Sequence, residues 1–68
     1  MYKVVKGYVR IEDVNYETFG LSYNGDIFAP NISTSKHNVE KLARFFNKEN
    51  VDVKTAELLL EDFLADGI

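Results

Sequence analysis

The side chains that could carry out chemistry in this chain are few, and its single histidine is the first of them. His37 follows Ser33, Thr34 and Ser35, whose hydroxyls could act as nucleophiles beside a base. A general base or a metal ligand needs partners, and His37 has none at ligand spacing. Because helix capping explains the three hydroxyls, we interpret His37 as an exposed residue and predict no catalytic residue.

Carboxylates near the C-terminus are the second group that could do chemistry: Glu57, Glu61, Asp62 and Asp66. Glu57 and Glu61 are four residues apart, as are Asp62 and Asp66, so each pair lies on one helix face. Two carboxylates could hold a hard cation, but nothing supplies the other ligands or a loop of calcium-binding spacing. We therefore favour a solvated acidic face, with no metal and no cofactor; a cation site and a patch for a basic partner are the alternatives.

Length and composition bound the class of protein. We interpret residues 1–68 as a single small domain without cysteine, which excludes a disulfide and a cysteine-based zinc site. No apolar run approaches the roughly 20 residues of a membrane span, and the N-terminus has no signal-peptide block, so we expect a cytoplasmic protein. The net charge of −3 weighs against non-specific contact with nucleic acid or anionic lipid.

The first third of the chain has the composition of β-strands. Residues 2–12 and 16–23 are rich in β-branched and aromatic side chains, with a turn predicted at residues 13–15. Gly7 interrupts the alternation of the first strand and predicts a bulge. Three residues fall on one face of the second strand: Phe19, Leu21 and Tyr23.

Asn24-Gly25 is the clearest local signal in the sequence. A type I′ turn needs positive φ at both central positions, which Asn tolerates and Gly adopts freely, so this pair predicts a hairpin. A short third strand follows from Asp26. Pro30 cannot donate a ladder hydrogen bond, which places that strand at a sheet edge or ends it there.

Two helices are predicted after the strands. Ser35 is the favoured N-cap of the first helix, with Ser33 as the alternative, and Asp52 is the predicted cap of the second. Gly67 is expected to stop the second helix. Helical spacing gives apolar stripes in both, namely Val39, Leu42, Ala43 and Phe46, widened by Phe45, and then Ala56, Leu59, Leu60 and Phe63.

The predicted fold class is α+β. A three-stranded antiparallel meander is followed by an antiparallel helix pair packed on one face, in the order β-β-β-α-α. The sequence leaves open whether the strand order is 1-2-3 or has the first strand between the others.

Short motifs across most of the chain resemble a family of short, uncharacterised bacterial proteins from Firmicutes. Residues 16–21 (Tyr-Glu-Thr-Phe-Gly-Leu) resemble that family's Y-x-T-Y-G-I strand, and residues 31–34 resemble its D-I-S-T helix entry. Residues 39–42 (Val-Glu-Lys-Leu) and 61–64 (Glu-Asp-Phe-Leu) are also similar to the family. Phe19 and Asn31 replace its usual Tyr and Asp. The resemblance implies a small cytoplasmic bacterial protein of unknown function, with no catalytic residue to transfer.

Nine aromatic side chains are many for so small a domain. One helix pair covers only one sheet face, so some of them should lie on the open face. Aromatic residues are enriched at protein interfaces, although ordinary strand tyrosines with hydrated hydroxyls are the alternative. The candidate interaction surface consists of Tyr2, Tyr8, Tyr16 and Phe28.

The sequence thus favours a non-enzymatic interaction module that binds a protein partner or itself. Binding is expected through the open sheet face or the edge strand that carries Pro30. The alternative is a small regulator that contacts nucleic acid through basic residues of the first helix. An enzyme is disfavoured, because two thin layers leave little room for a pocket of several hundred Å³. The basic residues of the alternative are Lys36, Lys41, Arg44 and Lys48.

Overall fold

The computed structural model describes residues 1–65, with side chains as far as Phe63. Strands β1 (Tyr2–Ile11), β2 (Val14–Tyr23) and β3 (Asp26–Ser33) form one antiparallel sheet in the order β1-β2-β3. Helices α1 (Lys36–Lys48) and α2 (Val53–Ala65) follow. The predicted meander followed by two helices is confirmed, and the open question of strand order is answered. Asp66 and the expected stop at Gly67 lie outside the described residues.

Strands β1 and β2 form a hairpin that is longer than predicted. Its two-residue turn is Glu12-Asp13, with φ of 50° and 67°, so Val14 and Asn15 belong to β2 and not to the turn. The register runs without a shift from the Tyr2–Tyr23 pair to the Ile11–Val14 pair. The bulge predicted at Gly7 is therefore wrong, because Gly7 keeps its regular place opposite Thr18.

The irregularities lie instead between β2 and β3, where the register shifts on both sides of Leu21. The bulged part of β3 passes close over Gly20. A Cβ atom on Gly20 would lie 2.1 Å from the carbonyl oxygen of Ala29 and 2.4 Å from that of Pro30, so only glycine fits. Pro30 lies within this edge strand, as its missing N–H predicted.

The core lies between the helices and the sheet face that carries Leu21. The predicted stripe of α1 is confirmed, with Leu42 half-buried at its margin and Phe45 half-exposed beside it. In α2 the stripe is confirmed except for Leu59, which is 38% exposed because it sits at the flank of the buried face. The buried apolar residues are Tyr2, Phe19, Leu21, Ile32, Val39, Ala43, Phe46, Ala56 and Leu60.

Both predicted helix caps are confirmed. The Ser35 hydroxyl oxygen accepts a hydrogen bond from the Asn38 amide at 3.3 Å, and the Asp52 carboxylate accepts one from the Thr55 amide at 2.8 Å. Hydrogen bonds from the Thr55 side chain and main chain lower the pKa of Asp52 below its ordinary value. Neither helix, as far as the structure describes them, is long and apolar enough to cross a membrane.

Candidate functional site

Two of the four predicted surface aromatics belong to the core. The Tyr2 ring is 3% exposed and packs against the rings of Tyr23 and Phe46, with centroid distances of 4.7 and 5.2 Å. Phe28 is half-buried and meets Tyr2 edge-on at 5.7 Å. Their predicted place on the open face is wrong. The register puts Tyr2 on the helix side, and the bulge leaves Phe28 as an extra residue that packs against the core.

The hydroxyl of Tyr2 also has a structural partner. It donates a hydrogen bond of 2.7 Å to the carbonyl oxygen of Val51, in the link between the helices. Burial raises the pKa of Tyr2 above its ordinary value, and Tyr23 and Asp52 act in the same direction. This tyrosine therefore fastens the first strand to the helix layer.

Tyr8 and Tyr16 are exposed, at 66% and 43%, but they lie on opposite faces of the hairpin. Tyr8 is paired with Glu17, whereas Tyr16 is paired with Val9. Directly paired residues share a face and neighbours along a strand alternate, so Tyr8 lies on the helix side and Tyr16 on the outer side. The predicted aromatic patch is therefore divided, and only Tyr16 lies on the open face.

The outer face of the hairpin carries an apolar group, exposed except for the half-buried Val9, that we call the hairpin cluster: Val9, Ile11, Val14 and Tyr16. Its members form two adjacent cross-strand pairs, Val9 with Tyr16 and Ile11 with Val14. Ile11 is 57% exposed and Val14 is 49% exposed. Sequence reasoning named none of Val9, Ile11 and Val14 as surface residues, and it placed Val14 in the turn. The Glu12-Asp13 turn has no Asn-Gly signal that would have shown where β2 begins.

The rest of the outer face is covered by β3. Thr18 and Ser22 are buried although they lie on the outer side, and the bulged segment of β3 crosses close to Gly20 between them. The Thr18 hydroxyl donates to the side-chain oxygen of Asn31 at 2.7 Å. The uncovered part of the face is thus the part farthest from the core, where the hairpin cluster lies.

No strand among residues 1–65 pairs with the outer edge of β1. The main-chain N–H of Tyr2 donates to the side-chain oxygen of Asn47 at 2.7 Å, and the Asn47 amide donates to the Tyr2 carbonyl at 3.0 Å. Both main-chain groups of Tyr2 therefore point away from β2. Because this direction alternates along a strand, the same groups of every second residue also point outward. These residues are Val4, Lys6, Tyr8 and Arg10.

An open groove of about 330 Å³ lies between β3 and α2, although two thin layers were expected to leave little room for a pocket of several hundred Å³. Its wall includes Pro30 and Leu60, with Glu57 and Glu61 from the predicted acidic group. No group of three or more metal-ligating side chains occurs within the described part of the chain. The described residues of the groove therefore offer an apolar wall and two exposed carboxylates.

The four basic residues of the alternative prediction are all exposed on α1. Glu40 is exposed on the same helix and interrupts them, as the sequence indicated. His37 is exposed as well. Among side chains as far as Phe63, the ion pairs are Lys6–Glu17 at 3.5 Å and Arg10–Asp13 at 3.1 Å, so no carboxylate neutralises these four. The residues are Lys36, Lys41, Arg44 and Lys48.

Comparison with protein-family models, with curated proteins and with solved structures gives no match to this chain.

Proposed function

We propose that this chain is a non-enzymatic protein-interaction module that binds a protein partner, or a second copy, through the hairpin cluster and the neighbouring edge of β1. The observation that carries the proposal is the placement of the cluster. Four apolar side chains lie together on the open face, in two cross-strand pairs beyond the part of the sheet that the helices and β3 cover. Contiguous exposed apolar groups of this kind mark interaction sites.

The energetics of a small domain support this interpretation. A chain of this length buries only about 60% of the surface that its unfolded form exposes, so its stability depends strongly on how many apolar residues the core buries. Fully burying one large aliphatic side chain stabilises by about 1.5–3 kcal/mol. The hairpin nevertheless holds Ile11 and Val14 about half-exposed, at 57% and 49%. A partner bound at this surface would bury apolar area that stays exposed in the isolated chain.

Hydroxyls that could have served as nucleophiles form structural hydrogen bonds instead, which supports a non-enzymatic module. The Ser33 hydroxyl oxygen accepts a hydrogen bond from the Ser35 amide at 3.0 Å, and the Ser35 hydroxyl oxygen caps α1. His37 is exposed on the first turn of that helix. A nucleophile with a base held beside it would have argued for the opposite conclusion.

Affinity capture with matched surface variants tests the proposal. The wild-type chain, an Ile11→Lys/Tyr16→Lys double variant and a Leu58→Lys variant are each used as bait in the native cell. Leu58 is the matched control, because it is an apolar residue that is 60% exposed on α2, away from the hairpin cluster and from the β1 edge. We expect a partner that wild type and Leu58→Lys retain and that the double variant loses at least about tenfold. Equal recovery by all three folded baits would overturn the proposal.

Nucleic-acid contact through α1 is the second candidate. It is supported by the exposure of Lys41, Arg44 and Lys48 on one side of the helix, while the net charge of −3 opposes it. Binding of duplex DNA at low salt should then weaken steeply as salt is added, since the contacts would be to phosphates. Absence of binding at low salt would remove this candidate.

A further inference from the structure

The stretch of β1 whose outward main-chain groups are free to pair has a limit at each end. At one end, the Asn47 side chain occupies the outward hydrogen-bonding groups of Tyr2. At the other end, the strand finishes at Ile11 and turns at Glu12-Asp13. The free stretch therefore runs from residue 4 to residue 10, and its midpoint is Gly7.

The two edges of the sheet differ in their protection. Edge strands are commonly guarded by prolines and bulges that prevent pairing with another chain. The β3 edge has both, through Pro30 and the register shifts around Leu21. The β1 edge has neither, and its ladder with β2 is regular over ten residues. A regular edge without proline or bulge can accept another strand.

We propose that this edge pairs antiparallel with the same edge of a second copy, about a two-fold axis at Gly7. The inference rests on the proposed function, because it names a second copy as the partner of the same hairpin. Four outward-facing residues of each copy then form four hydrogen-bonded pairs with those of the other, and the two sheets become one. The pairs join Lys6 to Tyr8 and Val4 to Arg10 of the second copy, in both directions.

Repulsion between like charges disfavours the two registers adjacent to this one. A shift in one direction puts Lys6 opposite Lys6 of the second copy, and a shift in the other puts Lys6 opposite Arg10. Like charges directly opposite each other are destabilising in a sheet. The register centred on Gly7 avoids both, and it places the Lys6 ammonium beside the Tyr8 ring of the other copy. A cation over the face of an aromatic ring is attracted by the ring's quadrupole.

The extent of the free edge selects the same register independently. If the two-fold axis moves toward Tyr2, one hydrogen-bonded pair is lost, because Asn47 already occupies the main-chain groups of Tyr2. A shift the other way places Val4 opposite Glu12, where the strand has already turned. Only the register centred on Gly7 pairs all of the outward-facing groups.

The outer face gains a continuous apolar strip in this dimer. Val5 and Val9 are half-buried on that face in one copy. The register places Val5 directly opposite Val9 of the second copy, at a position without hydrogen bonds, where the Cα atoms are about 4.5 Å apart. The two hairpin clusters are then joined through these valines.

Disulfide trapping between two different single variants tests the register. Val5→Cys and Val9→Cys are prepared separately, with ¹⁵N in one of them, and are mixed under mild oxidation. The chain has no cysteine of its own, so each variant carries one thiol. We expect the mixed disulfide to exceed either homodimer at least about fivefold, since only Val5 and Val9 lie within disulfide distance. A statistical mixture, or no disulfide between folded chains, would overturn the proposal.

Light scattering over a concentration series tests the edge itself. We expect wild type to dimerise as its concentration rises and Tyr8→Pro to remain monomeric, because proline removes the outward N–H of residue 8. Tyr8→Ala is the matched control, since it loses the same ring but keeps the N–H, and it should still dimerise. A strictly monomeric wild type, or a Tyr8→Pro that folds and dimerises as Tyr8→Ala does, would refute the edge pairing. If wild type is monomeric yet captures a partner through the hairpin cluster, the proposed function stands and this inference fails.

Discussion

The side chain of Asn47 forms with Tyr2 both hydrogen bonds that a neighbouring strand would form. Its oxygen accepts the Tyr2 N–H at 2.7 Å and its amide donates to the Tyr2 carbonyl at 3.0 Å, across 45 residues of sequence. One residue near the end of α1 thereby fastens the helix layer to the sheet. It also satisfies main-chain groups that would otherwise lie part-buried without partners.

Asn47→Asp should separate the two halves of this contact. The carboxylate can still accept from the Tyr2 N–H, but it faces the Tyr2 carbonyl with an oxygen instead of a donor. We expect a loss of about 1–3 kcal/mol in the free energy of unfolding, measured by urea denaturation. Asn15→Asp, at an exposed amide of the hairpin, is the control and should change stability by less than about 0.5 kcal/mol. Equal effects of the two substitutions would contradict the role of Asn47.

Gly20→Ala should be among the most damaging small changes in the chain. Its Cβ would lie 2.1 Å from the Ala29 carbonyl oxygen, and a main-chain atom cannot move aside without displacing β3. We expect a loss of about 3 kcal/mol or more, seen as a lower melting temperature.

Gly7→Ala is the matched control for the crossing of β3. Its Cβ would meet the side-chain oxygen of Asn31 at 3.3 Å, and a side chain can shift by a few tenths of an ångström. We therefore expect a change within about 1 kcal/mol. If Gly20→Ala were as mild as this, β3 could not pass as closely over β2 as the structure has it.

The Glu12-Asp13 turn should be improvable. Both residues have positive φ, at 50° and 67°, although neither residue type favours it as Asn and Gly do. Glu12→Asn/Asp13→Gly should raise the free energy of unfolding by about 1 kcal/mol, even though it removes the exposed Arg10–Asp13 ion pair.

Gly25→Ala tests the same preference of turn residues for positive φ, but here the substitution should lower the free energy of unfolding. Gly25 has φ of 92° and open space around it, so the substitution isolates the backbone term. A loss of about 1 kcal/mol is expected in urea unfolding. A destabilised Glu12→Asn/Asp13→Gly variant would mean that the Arg10–Asp13 contact outweighs turn preference.

Alkaline pH should weaken the attachment of Tyr2. The pKa of its hydroxyl is raised above the ordinary value of 10.0, chiefly by burial. The hydroxyl's contribution is therefore fully present below pH 10.0 and is lost as the pH rises through the folded-state pKa. Tyr2→Phe should cost about 0.5–1.5 kcal/mol at neutral pH, because the bond to the Val51 carbonyl is lost.

The gap in melting temperature between wild type and Tyr2→Phe should consequently narrow above pH 10.0, the ordinary value for this hydroxyl. Tyr8→Phe, at a ring that is 66% exposed, corrects for the general effect of alkaline solution. A gap that stayed constant with pH would show that ionisation of Tyr2 is not coupled to folding.

The candidate surface was only partly predictable from the sequence. Some of Tyr2, Tyr8, Tyr16 and Phe28 were expected on the open face, and the structure places only Tyr16 there. Val14 was assigned to the turn and was therefore missed. The reason is register. Side chains alternate with a period of two, so the place of the turn and one bulge decide which residues face the core. Glu12-Asp13 carries no Asn-Gly signal, so nothing local indicated where β1 ends.

The sequence by itself determined the local elements: the Asn24-Gly25 turn, the caps at Ser35 and Asp52, and three strands followed by two helices. Each of these depends on residues close together in the chain, where intrinsic preference and periodicity act. The tertiary structure alone decided the strand order, the passage of β3 over Gly20 and the contact between Asn47 and Tyr2. Those depend on groups that meet only after the chain has folded, so no local pattern specifies them.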